Sequence, residues 1–406
     1  MIIISKMSID KVNFYDVSGT LDLINRKVSL NVDFNDAQTM LDISNLAKLY
    51  FSDEVDEKLK LIYLKSDKGI DYTCFNGMFG MNIEDKLSIV SNSIDMIIEN
   101  GMLDTINDKI NSLKVKFSFN RRCVVGSVFK DLDFYYTSDK KINVTSSLFV
   151  DKIFIDISVD SKKMCGYDKL SQIIYTLAEM IFLIVGDMPC TEEVIGRLDN
   201  IDINYYFDIV DKYKNLGKNN KSIVLNVIDS STLNKNNMKK FELFRRNTKI
   251  IYDLFLRVVN CDDYTEIKNC NLIQIIEGLY KTVQNNYKIE LRLLLDAYFN
   301  SSVSMKKILS RRDKRKIAHY NQTPIFIYKS VNHRNYLSHL EHNQVKNVFF
   351  KTENIYAYYK LVLSIRVFLL EYIGIGFDEY SLIDAVNKIE SLAKKLKIRF
   401  SLLLNK

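Results

Sequence analysis

Along the first 160 residues, apolar and polar side chains alternate in several stretches with a period of two. Val28, Leu30, Val32 and Phe34 are separated by Ser29, Asn31 and Asp33, which puts one set on each face of a half-buried strand. The same alternation recurs in Lys58–Leu64, Val115–Phe119 and Ile153–Ile157, and Phe134-Tyr135-Tyr136 has the aromatic content that pleated surfaces favour. Between these, Asp85–Leu113 reads as helical in part, with Asn100-Gly101 as a break. From Tyr167 the period changes. Ile173, Ile174, Leu177, Met180, Ile181 and Ile184 recur at helical spacing until Gly186 and Pro189 close a helix over Tyr167–Val185. A further strand is expected at Ile223–Ile228.

The stretch from Asp229 to Asn237 is the most polar and turn-rich in the chain and marks the expected boundary between residues 1–235 and 236–406. Beyond it the spacing is helical throughout. Phe241, Phe244, Ile251, Leu254, Phe255 and Val258 form a stripe along one long helix; Leu272–Val283, Ile289–Phe299, Asn354–Ile373 and Leu382–Phe400 are further helices. In Asn354–Ile373 the residues Leu361, Val362, Ile365, Phe368, Leu369 and Tyr372 make a face suited to a bundle core or a dimer seam. The expected class is α+β: a β-rich N-terminal region, then a compact bundle of five or six helices.

Composition narrows the setting. At 406 residues, 47% hydrophobic and 26% charged, the chain is globular rather than disordered. The longest apolar run, Met180–Val185, is too short to span a bilayer, and the opening Met-Ile-Ile-Ile-Ser-Lys is too short for a signal peptide. The six cysteines contain no C-x-x-C pair, so a soluble protein of the reducing cytoplasm, without a metal site, is expected. The formal charge of +7 is unevenly spread: residues 241–406 carry 27 basic and 16 acidic side chains, a net of +11 against −4 for the rest. Such a half suits a polyanionic partner, RNA or DNA, or is a solvated basic face. The Lys306–Lys316 run, with seven basic residues, carries the same two readings: a surface that tracks phosphates, or a solvated loop or helix face.

All four histidines, His319, His333, His339 and His342, fall in or near Asn332-His333-Arg334-Asn335-Tyr336-Leu337-Ser338-His339. Histidine is the usual proton-transfer group at neutral pH. Arg334 and His339 stand five residues apart, about 140° around a helix, so both reach one cleft most easily if a second copy of the chain supplies the other lip. His333 and His342 are expected at the surface, with His333 near enough to touch a substrate, and Tyr336 in core or dimer packing.

The C-terminal portion resembles a HEPN domain of the Apea-like kind over residues 270–400. The family's Arg-Asn-x-x-x-His core reads here as Arg334-Asn335-Tyr336-Leu337-Ser338-His339, its Gln-x-x-Glu helix as Gln274-Ile275-Ile276-Glu277, and its aliphatic helix ending in glycine as Leu361–Gly374. The β-rich region ahead of it matches ApeA-like proteins in arrangement. The Lys306–Lys316 run and the segment to Tyr328 fit no part of the family pattern.

The resemblance implies a metal-independent endoribonuclease of anti-phage defence, with no cofactor. It implies that His339 transfers protons, Arg334 contacts phosphate, Asn335 assists the arginine and Glu277 orients it; the other reading of Glu277 is a structural acid paired with an arginine. Cutting would proceed by attack of the 2′-hydroxyl and leave 2′,3′-cyclic phosphate ends. A homodimer pairing two copies of Arg334 and His339 would supply both acid and base. The β-rich region is then a sensing element that restrains the bundle until a phage-derived trigger appears. The competing reading is a non-catalytic module that binds RNA or protein and dimerises.

Overall fold

The computed structural model describes residues 1–8, 14–32, 61–75, 79–83, 87–91, 94, 96–100, 109–119, 132–149, 152–186, 190–198, 201–207, 233–260, 264–317, 322–339 and 347–398. The expected strand at Ile223–Ile228 lies outside them, as do His319 and His342.

The N-terminal strands are β1 (Ile2–Ser8), β2 (Tyr15–Asp22), β3 (Lys27–Val32), β4 (Leu61–Ser66), β5 (Asp71–Phe75), β6 (Phe79–Ile83) and β7 (Leu87–Ser91). They are followed by β8 (Met96–Glu99), β9 (Lys109–Phe119), β10 (Leu132–Thr137), β11 (Lys140–Phe149), β12 (Lys152–Gly166), β13 (Cys190–Leu198) and β14 (Ile201–Phe207). All fourteen join one sheet in the order β10-β11-β12-β9-β13-β14-β8-β5-β4-β1-β2-β3-β7-β6. The pairings are antiparallel, as between β11 and β12, where Lys140 lies opposite Ser161 and Phe149 opposite Lys152.

The alternation read in the sequence is realised in β3, where Val28 and Leu30 are buried and Ser29 and Asn31 exposed, and in β12, where Ile155, Ile157 and Val159 point inward. Over the described part of Asp85–Leu113 the helical reading is corrected, since every element there is a strand; residues 101–108 lie outside the described ones. β8 is held on both sides, by β5 and β14, and β7 by β3 and β6. Short apolar runs have no distinctive period, so neighbours in the sheet rather than local pattern settle their conformation.

The sheet has two cores. Ile4, Leu21, Leu30, Leu64, Cys74 and Ile97 belong to one that serves the β1–β5 and β8 end. The inward residues of β9, β11 and β12 belong to the other, and pack on α1 (Tyr167–Val185). Fifteen of the nineteen residues of α1 are buried. A helix apolar on every side has to be enclosed on every side, and α1 lies between the sheet and the helical half. Its C-terminal carbonyls, which lack partners within the helix, accept from the buried Arg366: Nε to Leu183 O at 2.8 Å and Nη2 to Ile184 O at 2.6 Å. One apolar core therefore runs from the sheet through α1 into the bundle.

The helices beyond are α2 (Lys235–Asn247), α3 (Lys249–Asn260), α4 (Thr265–Gln284), α5 (Leu291–Phe299), α6 (Val303–Ile308), α7 (Ile325–His339), α8 (Thr352–Ile373) and α9 (Glu379–Lys395). This is eight among the described residues where five or six were expected. The expected first long helix is two, because Thr248 closes α2: its N–H and its hydroxyl both donate to Phe244 O, at 2.9 and 2.8 Å. α8 is the central helix. Of its expected apolar face, Leu361, Ile365 and Leu369 are fully buried and Phe368 nearly so, which puts that part in the core, while Val362 is half-buried and Tyr372 is 44% exposed. The last helix starts at Glu379, not Leu382, because Asp378 caps it by accepting from Tyr380 N and Ser381 N.

Candidate functional site

The site forms where α7 lies against α4, and the start of α7 is secured by backbone hydrogen bonds. Pro324 precedes the helix, and the first free N–H groups find acceptors in the basic turn before it: Ile325 N donates to Arg315 O (2.9 Å) and Phe326 N to Asp313 O (3.3 Å). Ile325, Phe326 and Ile327 are fully buried. Lys329, 1% exposed, pairs with Glu353 of α8 at 2.8 Å.

His333 is not at the surface. It is 1% exposed, with Nε2 2.8 Å from Glu266 O on α4 and its ring against Phe349. Burial holds its pKa below the usual histidine value, so the ring is neutral at pH 7 and ties α7 to α4. Its apolar neighbours, distant in sequence, removed it from the surface. Beside it, Asn269 of α4 donates to Asn354 O and Oδ1 (2.9 and 3.0 Å), and Asn354 donates to Glu266 Oε1 (3.1 Å). The three helices that frame the site are thus fixed to one another by hydrogen bonds.

Past His333 the helix opens toward solvent. Arg334, Asn335, Tyr336 and Leu337 are half-buried and Ser338 is exposed. Arg334 Nη2 lies 3.5 Å from Glu277 Oε2 on α4, and its Nη1 donates to Asn335 Oδ1 at 3.3 Å. Glu277 Oε1 also meets Lys281 Nζ at 2.7 Å, one helical turn on. Gln274 Nε2 donates to Ser338 Oγ (3.2 Å), and Cys270 Sγ lies 3.7 Å from the same oxygen. Cys270, Gln274, Glu277 and Lys281 follow the i, i+4, i+7, i+11 spacing of one helix face. Of the four residues singled out from sequence, Arg334, Asn335 and Glu277 come together. His339 is the last residue of α7, and its side chain lies outside the described residues.

The sequence reading missed two contributors, Lys281 and Ser338. The first had a signal, since Glu277 and Lys281 are an i, i+4 acid–base pair; the second had none. Cys270 supplies no nucleophile. Burial pushes its thiol pKa up despite Ser338 and Arg334 nearby, and it is the thiolate that reacts.

The arrangement is electropositive. Two cations share one carboxylate, and the Arg334–Glu277 pair, with 24% and 18% of its side chains exposed, is too open to contribute more than about 1 kcal/mol to folding. A guanidinium and an ammonium held this close can both hydrogen-bond a phosphate group.

A second electropositive feature occupies the basic run. Asp313, fully buried, accepts from Ser310 N and Oγ (2.8 and 2.9 Å), from Lys360 Nζ (2.7 Å) and from Tyr356 OH (2.9 Å). That anchor turns its neighbours outward. Arg311, Arg312, Lys314 and Arg315 line a groove of about 1320 Å³ with Lys394 and Lys397 from the end of α9 and beyond, and no carboxylate is among its lining residues.

Among the described residues no cluster of three or more His, Cys, Asp or Glu is placed to hold a metal ion, and no helix is long and apolar enough to cross a membrane. Compared with protein-family models, curated proteins and solved structures, the chain has no significant match in any of the three.

Proposed function

We propose that this protein is an endoribonuclease of the HEPN kind, acting in the cytoplasm in anti-phage defence and cutting RNA without a metal ion. The observation that carries the reading is the meeting of Arg334 and Lys281 on the single carboxylate of Glu277, beside Asn335, on the solvent-reaching half of the helix that ends in His339. Net positive charge is left where a scissile phosphate would lie.

In this mechanism His339 takes the proton from the 2′-hydroxyl, which attacks the adjacent phosphorus. Arg334 offsets the charge gathering on the phosphorane, held in place by Glu277 and Asn335. The 5′-oxygen leaves with a proton from His339 of a second copy, so the active form is a homodimer and the product carries a 2′,3′-cyclic phosphate. The groove between the Arg311–Arg315 turn and α9 would carry flanking phosphates, while the β-rich region answers to a phage-derived trigger.

The same groove also suits a second reading, a module that binds RNA without cutting it. One experiment separates them. Purified protein is incubated with mixed cellular RNA in EDTA beside His339→Ala and Arg334→Ala variants, with product ends analysed. The nuclease reading expects cyclic-phosphate ends from the wild type and a loss of about 100-fold or more in each variant. Undiminished cutting by the variants sinks it, and RNA binding without cutting, whether or not a trigger is added, leaves the binding module.

A further inference from the structure

A cavity of about 750 Å³ lies at the junction of the sheet with the bundle's first helices. Its walls come from the edge strand β10, from β11, and from α1, α2 and α3. Ile173 and the buried Tyr252 give its lining apolar surface, and so do the half-buried Tyr136 and Leu243, the latter 49% exposed. None of this belongs to the Arg334 site.

The charge around the cavity is lopsided. Six cationic side chains line it against two carboxylates, Glu242 and Asp253. Several of these are engaged. Arg245 pairs with Glu179 at 3.1 Å, Lys140 with Asp139 at 3.2 Å, and Glu242 accepts from Tyr136 OH at 2.7 Å. Lys169, Lys239, Arg246 and Lys249 have no carboxylate in salt-bridge range among the described residues. Four cations converging on one opening repel one another, and an anion that enters relieves that repulsion.

We propose that this cavity binds a nucleotide carrying two or three phosphates. The polyphosphate would lie across Lys169, Lys239, Arg246 and Lys249, and the base would pack against Leu243 and Tyr136. Three features select that class. The volume is within the ordinary range for small-ligand sites, roughly 300 to 1,000 Å³. The excess positive charge matches a polyphosphate better than a single carboxylate or sulfate. The apolar part of the lining offers a surface to the flat face of a base, which a free polyphosphate could not use. A ligand there touches the sheet edge and α2 and α3 together, so its binding energy couples the β-rich region to the bundle.

The test is isothermal titration of the full-length protein with ATP, GTP and inorganic triphosphate at 0.15 M salt. It includes an Arg246→Glu, Lys249→Glu double variant and a Lys68→Glu, Lys288→Glu control at exposed lysines outside both basic grooves. Saturable one-to-one binding of at least one nucleotide is expected, tighter than that of triphosphate, weakened about 100-fold or more by the first variant and little changed by the control. All four changed residues are solvent-facing, and circular dichroism checks that each variant is folded. Absence of saturable binding by either nucleotide overturns the proposal, as does binding that survives the double charge reversal. Triphosphate binding as tightly as both nucleotides overturns the base contact. The readout is binding alone, so it stands or falls separately from RNA cleavage.

Discussion

The helical half contains two clusters built from the same kinds of side chain and set in opposite surroundings. In the first, Asp313, Lys360 and Tyr356 are fully buried, and Lys360 Nζ reaches Asp313 at 2.7 Å, Glu390 at 2.9 Å and Ile308 O at 2.6 Å. Removing such charges from water costs several kcal/mol per ion, and the cluster persists because its oxygens and its ammonium are matched. In the second, Arg334 reaches Glu277 only at 3.5 Å and both are partly wet. The first arrangement is closed to solvent and to any ligand; the second can be reached from solvent. A chain can thus use an ion pair as a joint or as a receptor, and burial decides which. The two are connected through α7, since the backbone of Asp313 accepts from the first turn of the helix whose other half presents Arg334.

The largest expected effect breaks the buried cluster. Lys360→Met leaves Asp313 and Glu390 without their cation and is expected to cost about 3–5 kcal/mol in chemical denaturation; a wild-type midpoint would show that the pair is not structural. Arg334→Ala should do the reverse. Its denaturation midpoint is expected to move by no more than about 1 kcal/mol, while RNA cleavage falls about 100-fold or more; a comparable loss of stability would make the second cluster a joint too.

Glu277→Gln sharpens the contrast further. With the carboxylate gone, Arg334 and Lys281 attract phosphate more strongly but are no longer positioned, so RNA binding is expected to tighten by a few-fold while cleavage falls about tenfold. Binding and cleavage moving together would count against a positioning role.

The smallest effect is in pH. The folded pKa of His333 lies below 6.5 because of burial, so the unfolded chain takes up that proton first. Its contribution is intact above about pH 6.5 and is lost as pH falls. Glu390 acts lower down: burial raises its pKa, yet Lys360 and Tyr356 outweigh that and leave it below 4.5, so its contribution is full above that pH and disappears beneath it. His333→Gln should flatten the first slope of stability against pH and leave the second; an unchanged first slope would assign it to another group.

Much of the fold could be read ahead of the structure where one periodicity ran long enough. α1 begins and ends where its spacing and Gly186 placed it, with Gly186 at φ 76° and its N–H on Phe182 O. The two-residue alternation located β3, β9 and β12. It failed over Asp85–Leu113, where β7 and β8 span five and four residues, too few to display a period. For the site, Arg334 and Asn335 were visible as a motif and Glu277 as part of a helix 57 residues earlier, but their 3.5 Å approach was not. Nor was Asp313 visible for what it is, because in sequence it is one acid in a basic run.

Local pattern and composition were enough to establish an α+β chain, a strand-rich first half, a basic helical second half, and a single short stretch holding the imidazoles. Those properties follow from side-chain order and backbone sterics, which act over a few residues. What needed the folded chain was which charges are buried. Lys360 and Asp313 are 47 residues apart, and Arg366 reaches Leu183 across 183. No local rule spans such distances, because the dielectric around a charge is set by whatever the rest of the chain packs against it.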